Sequence, residues 1–353
     1  MAPGMTPAKI KANNLKFIPH VLSVAASTLI IGGCATQSPH SPSVGSADKN
    51  SSPASEQVVF KVALLTTGPV NDGGWNQSAY EGLQRIARDM PAKTEKEENL
   101  KDSDFESAFR DYASRGYNII FAHGDEFSSV AAKVAPLFPK TLFVTTGGTN
   151  SGPNLVPIHF ATEEGTYLQG MEAAYVSKTG KGGFVGGQEL PPVKIAADAF
   201  SNGAKSVNPK FIFNATYING WTDPVAARAQ TEALLNSGCD VISHNCDAAA
   251  KGLFDAAASK PGVHTFGVNA DENAKAPNVL SSAVLDIPKA FDDIANKVKA
   301  GHYVAKPLSL GLRDKDVALV DNPKLASVLT PVEKSHIENA AVAIATGRLK
   351  VVR

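Results

Sequence analysis

The sequence predicts an α/β protein whose strands run parallel and are covered on both faces by helices. Two observations carry this. Short β-branched or aromatic runs alternate along the chain with segments of helical periodicity, and those runs are continuously apolar rather than apolar and polar by turns. Strands joined through helices run parallel, and a strand buried on both faces shows no period-two pattern. A length of 353 residues leaves room for two core-bearing domains.

The first 33 residues read as a leader rather than as part of the fold. Lys9, Lys11 and Lys16 precede a mostly apolar run over residues 17–31, which ends in Ile31-Gly32-Gly33-Cys34. Pro19 and His20 interrupt that run, and it falls short of the roughly 20 apolar residues that span a bilayer, so a cleaved signal is expected. The small residues before Cys34 resemble a bacterial lipobox, which makes Cys34 the lipidated first residue of the mature chain. Residues 34–57 are rich in Ser, Pro, Ala and Gly and carry almost no large apolar side chain, the composition of a flexible stalk. The remainder is then expected on the extracytoplasmic, periplasmic face of a bacterial membrane, tethered through its lipid alone.

Strands are predicted at residues 58–65, 119–122, 142–145, 183–185, 211–217, 241–243 and 264–268. Between them the helices carry start and stop signals. One begins near Trp75, sets Ala79, Leu83 and Ile86 on one face and stops at Pro91. A second opens at Ser103-Asp104-Phe105-Glu106, which has the spacing of a capping box. It continues with Phe105, Phe109 and Tyr112 on one stripe and ends at Gly116. A third opens at Asp223-Pro224, aspartate as cap and proline at the first helical position, and closes at Gly238.

Composition removes some partners. Thirty-four basic residues balance 34 acidic ones, so no bulk charge favours nucleic acid or an anionic membrane surface. Cys239 and Cys246 flank a predicted strand that holds them roughly 20 Å apart. A disulfide tolerates about 7 Å between Cα atoms, so both are expected free. His244, Cys246 and Asp247 match no closed zinc spacing, and neither a metal nor a cofactor is expected.

In open α/β sheets ligands bind where the strands' carboxyl ends meet the following loops. Here those loops are rich in Gly, Asn and acids, and they hold both tryptophans, Trp75 in the first half of the chain and Trp221 in the second. Two flat side chains at equivalent junctions suit a planar ring between them, with Asn and Asp neighbours for polar specificity. The structural alternative is that each tryptophan only packs its helix onto its sheet.

At these loops the chain resembles the basic membrane protein family of substrate-binding lipoproteins, the PnrA-like (purine nucleoside receptor-like) group. The matching stretches are NDGGWNQSAYEGL at residues 71–83, YLQGM at 167–171, TGKGGFVGG at 179–187, FSNGAKSVNP at 200–209, GWTDP at 220–224 and GVNAD at 267–271. The resemblance implies a periplasmic-binding-protein type I fold, two Rossmann-like lobes joined by three crossovers that hinge around a ligand. It divides the chain into an N-terminal lobe of residues 58–159 plus 286–312 and a C-terminal lobe of 160–285 plus 313–353. It also implies a monomer that captures a purine nucleoside or base and delivers it to an ABC permease and its ATPase. By the same resemblance Trp75 stands at an aromatic stacking position, followed by Asn76. Asp72 stands at an acidic position, Asn71 replaces a residue that is often acidic, Trp221 matches the second lobe's aromatic, and Asp271 matches a ribose-binding acid. Glu126, Glu189 and Asp247 are further ligand-binding candidates, with Asp125 beside them. One departure stands out: Leu285 or Asp286 occupies the place where nucleoside-binding members often carry lysine, which makes a free base or another flat heterocycle a candidate.

Other functions find less support. There is no G-x-S-x-G elbow, no G-x-x-x-x-G-K-[ST] loop and no H-E-x-x-H helix, and the glycines at 180–187 miss the dinucleotide spacing, so no catalytic residues are assigned. A sensory receptor of the same fold, feeding a signalling partner, is the alternative that sequence alone leaves open.

Overall fold

The computed structural model describes residues 59–351. The expected signal peptide, the stalk and Cys34 lie outside the described residues. In chain order the elements are β1 (Phe60–Thr66), α1 (Trp75–Asp89), β2 (Ala92–Glu97), α2 (Phe105–Ser114), β3 (Ile119–His123), α3 (Ser128–Val134), β4 (Leu142–Thr146) and β5 (Leu155–Phe160). Then come α4 (Thr162–Val176), β6 (Lys181–Gly186), α5 (Pro191–Val207), β7 (Ile212–Tyr217), α6 (Pro224–Asn236), β8 (Val241–Asn245), α7 (Ala250–Ala258), β9 (His264–Asn269) and β10 (Val279–Leu285). The chain closes with α8 (Ile287–Lys299), β11 (Leu308–Leu310), β12 (Val317–Asp321) and α9 (Pro331–Ala345).

Two six-stranded sheets result, ordered β2-β1-β3-β4-β5-β11 and β7-β6-β8-β9-β10-β12. All neighbouring strands pair in parallel except β10 with β12. Each sheet has the doubly wound order in which the strand sequence reverses beside the first strand, and a crevice opens at that reversal. Between the sheets the chain passes three times: from β5 into α4, from β10 into α8, and from β11 into β12. Helix α8 returns to pack on α1, and α9 packs on α4.

The apolar runs become the central strands, and β3 and β4 are buried throughout. In the first sheet's core, Ala79, Leu83 and Ile86 of α1 meet α8, where Phe291 stacks on Phe121 with ring centroids 4.0 Å apart. In the second half, α4 and α5 approach until a Cβ on Gly170 would lie 2.0 Å from the carbonyl oxygen of Phe200 and one on Gly203 would lie 1.9 Å from that of Tyr167. Only glycine permits two helix backbones to come so close, which gives a physical reason for the YLQGM and FSNGAKSVNP stretches.

Several elements differ from the sequence expectation. Strand β2, AKTEKE, carries charge at four of its six positions and gives no strand signal. It forms because it is an edge strand, paired only with β1, and charge on an edge discourages pairing with other chains. Strand β5 contains Pro157, which suits its place next to the three-residue β11 at the opposite edge. In β10 two serines break the apolar run, but both are satisfied: Ser281 donates to Glu172, and Ser282 accepts from the Glu272 backbone and donates to Asn273. The capping box at Ser103 does not form. Asp104 takes the cap position, Ser103 Oγ donates to the Asp104 carboxylate, and Glu106 turns outward to Arg110 one turn on. The cap at Asp223 forms as expected, with Oδ1 accepting from the backbone N–H groups of Val225 and Ala226. Cys239 and Cys246 lie at opposite ends of β8, free and buried.

Candidate functional site

The loops at the carboxyl ends of both sheets converge on a cavity of about 260 Å³. From the first sheet it receives the loops after β1, β3, β4 and β5, and from the second those after β6, β7, β8 and β9. Both switch points, between β1 and β3 and between β6 and β8, open into it.

The loop after β1 is organised by Asp72. Its Oδ1 accepts from the backbone N–H of Gly74 at 2.9 Å and of Gln77 at 3.0 Å, while Oδ2 accepts from Asn76 N at 2.9 Å and Asn76 Nδ2 at 2.8 Å. A carboxylate placed there satisfies donors that the first turn of α1 leaves free. It also fixes the Asn76 amide: with Nδ2 committed to Asp72, the buried Oδ1 has no protein partner, and Asn76 lines the cavity.

Trp75 stacks on His123, ring centroids 3.9 Å apart and planes 26° from parallel. His123 is held at both nitrogens. Nε2 lies 3.1 Å from the Trp75 carbonyl, so it donates, and Nδ1 lies 3.0 Å from Thr146 Oγ1, which leaves it to accept. Complete burial pulls the His123 pKa down to about 3, so a neutral ring backs the tryptophan.

Trp221 belongs to the loop between β7 and α6 and packs among Phe184, Leu190, Val193 and Tyr217. A Cβ on Gly187 would lie 2.2 Å from Trp221 Cε3, so the absence of a side chain there makes room for the indole. Both tryptophans line the cavity, one from each sheet.

The charged lining is acidic. Asp125 and Glu126 follow β3, and burial pushes both carboxyls upward. Asp247 follows β8 with a left-handed backbone, φ 46°. Its carboxyl is pushed well up, first by burial and then by the charges of Asp72, Glu272 and Glu126, against a hydrogen bond from Asn269.

Of the residues expected at the site, Asp72, Trp75, Asn76, Glu126, Trp221 and Asp247 come together, with Asp125 among them. Asn71, Glu189 and Asp271 are not brought together with them: they are exposed and outside the lining. Asp271 is displaced because the chain turns just before it: Asn269 has φ 66°, and Ala270 N donates to Val268 O. Its Oδ1 accepts from Asn273 N, and it borders a separate crevice with Asp286 and Lys315. Leu285 is buried in the first sheet's core, and Asp286 caps α8 by accepting from Lys289 N. His244 is not part of a metal set. It pairs with buried Glu272 at 2.9 Å, and among the described residues no group of three or more His, Cys, Asp or Glu could hold a metal ion. Sequence reasoning did not single out Asn245, Asn269, His159 or Thr162, which also line the cavity. Their place at the carboxyl ends of strands was the available signal.

Three comparisons bear on this arrangement. Residues 59–347 match the family described as ABC transporter substrate-binding protein PnrA-like. Basic membrane protein A1 of Borrelia garinii is 30% identical over 281 residues, covering 76% of this chain and 82% of that one. A purine-binding protein of Brucella abortus is 27% identical over 298 residues, 82% of this chain and 84% of its own. In structure, an ABC transporter solute-binding protein from Aeropyrum pernix superposes with a TM-score of 0.76 at 19% identity, covering 82% of this chain and 92% of that one.

Proposed function

Because the chain belongs to the PnrA-like family of ABC transporter substrate-binding proteins, we propose that it captures a purine nucleoside, nucleobase or similar flat heterocycle for an ABC importer. It has the periplasmic-binding-protein type fold of that family. The observation that carries the ligand reading is the cavity shared by the two sheets, lined by Trp75 from one and Trp221 from the other together with acidic and amide groups. Indole rings supply stacking area at little conformational cost, and the polar groups select the ring's edge. The relative named as purine-binding supports the same ligand class.

In this reading the ligand enters while the lobes are apart, stacks on the tryptophans and is enclosed when the three crossovers bend. The enclosed form is what the permease recognises. Lipidation at Cys34 holds the protein as a monomer on the periplasmic face of the membrane. Among the described residues no helix is long and apolar enough to cross a bilayer.

A thermal-shift series on the full chain tests the ligand class, since a ligand that binds only the native state raises the melting temperature. Purine nucleosides, free bases, flavins and sugars form the panel. A shift with nucleosides or bases is expected, and silence across all purines with a response to sugars would overturn the reading.

A further inference from the structure

Charge is distributed unevenly in the cavity. Asp125, Glu126 and Asp247 line it together with Asp72, and among the described residues no lysine or arginine does. Asp72 is committed to the first turn of α1. Glu126 and Asp247 lie in corresponding loops, each following the third strand of its sheet in chain order, β3 and β8. They therefore reach the cavity from opposite lobes. Asn76 lines the same cavity, and its buried Oδ1, an acceptor, has no partner.

We propose that Glu126 and Asp247 are the specificity-determining residues of the site: between them they receive a nitrogen of the ligand that donates hydrogens or carries positive charge, and they exclude phosphorylated ligands. The inference rests on the cavity being the ligand site, but it does not require that the ring be a purine. A carboxylate only accepts hydrogen bonds, so an exocyclic amino group satisfies it while an oxo group turns a lone pair toward it. A phosphate would meet no lysine or arginine among the described lining residues.

The same pair couples ligand charge to closure. Bringing the lobes together moves two carboxyls toward each other, and like charges in a closed site are costly unless a proton or a donor nitrogen stands between them. The other titratable groups about them are Asp72, Asp102, Asp125, Glu272 with its partner His244, and His159. Four of these are further carboxylates, which strengthens the demand for a donor. A donor nitrogen standing between the two carboxylates offsets that repulsion.

Isothermal titration of the full chain with matched pairs tests this: adenine against hypoxanthine, cytosine against uracil, and adenosine against inosine and AMP. The amino member of whichever pair binds should bind at least about tenfold tighter than its oxo partner, with AMP silent. Its affinity should fall as pH drops from 7 to 5, because protons compete for the carboxyls. Glu126→Gln and Asp247→Asn should each shrink the amino-to-oxo ratio, with a melting temperature equal to or above that of the parent to show that the fold is intact. Equal or reversed preference, binding of AMP, or an unchanged ratio in two folded variants overturns the proposal. Purine binding without amino preference would sink this inference and leave the ligand class standing. Binding of cytosine alone would do the opposite, and silence across the panel sinks both.

Discussion

Glu172 in α4 offers a direct measure of how tightly the second lobe is packed. The side chain is 2% exposed and lies against β10, where Ser281 Oγ donates to it. Burial pushes its pKa up to about 8, with the hydrogen bond from Ser281 opposing and the charge of Asp321 assisting. In the unfolded chain the ordinary value is 4.5. A carboxyl raised on folding contributes its full stability below pH 4.5 and loses it as pH rises through 8. At pH 7 the folded protein therefore bears the cost of holding a proton across 2.5 pH units, about 3 kcal/mol at 1.36 kcal/mol per unit. Glutamine has the same shape, keeps an oxygen for Ser281 and does not titrate. Glu172→Gln should raise the unfolding free energy by about 3 kcal/mol at pH 7 and by almost nothing at pH 4.5, measured by urea denaturation at the two pH values. A variant no more stable at pH 7, or displaced equally at both values, would refute the reasoning, because it would mean that water reaches the carboxylate or that Ser281 cannot use the amide.

Three further outcomes follow from the site. His123, depressed to about 3 by burial, contributes stability that is present above pH 6.5 and lost as pH falls toward 3, about 5 kcal/mol in total; its ring resonances in a histidine NMR titration should stay in the neutral form to below pH 4, and a midpoint near 6.5 would remove the buried stack. Gly187→Ala puts a Cβ 2.2 Å from the Trp221 ring, so it should destabilise the fold by about 1–3 kcal/mol and shift the tryptophan emission, whereas a parental spectrum would show that the indole does not rest there. Trp221→Ala should weaken ligand binding by roughly 2–4 kcal/mol, read by titration calorimetry, and an unchanged dissociation constant would return Trp221 to a packing role.

The α/β class, the buried central strands and the helices α1, α2 and α6 were legible because they depend on short-range physics. Continuous apolar runs mark β1, β3 and β4, Asp223-Pro224 marks the start of α6, and Gly116, with φ 72°, marks the end of α2. The edge strand β2 escaped because an edge makes no demand for apolar side chains. Strand β10 escaped because its serines are satisfied only by Glu172, Glu272 and Asn273, and these come from other parts of the chain.

For the site, sequence alone determined the position along the chain: loops at strand ends, with a tryptophan in each half. Tertiary structure decided which of those residues meet. Asp72 and Asp271 look alike in sequence, each an acid in a loop after a strand. One accepts four hydrogen bonds at the start of α1 inside the cavity, and the other is turned out of it by the left-handed backbone at Asn269. Neither His123 behind Trp75 nor the placing of Glu126 and Asp247 on one cavity could be read from the chain. Those residues lie 48 positions apart in one case and more than a hundred in the other. Local propensity fixes where the chain bends and pairs, but the burial that neutralises a histidine or raises a carboxyl exists only once distant segments exclude water together.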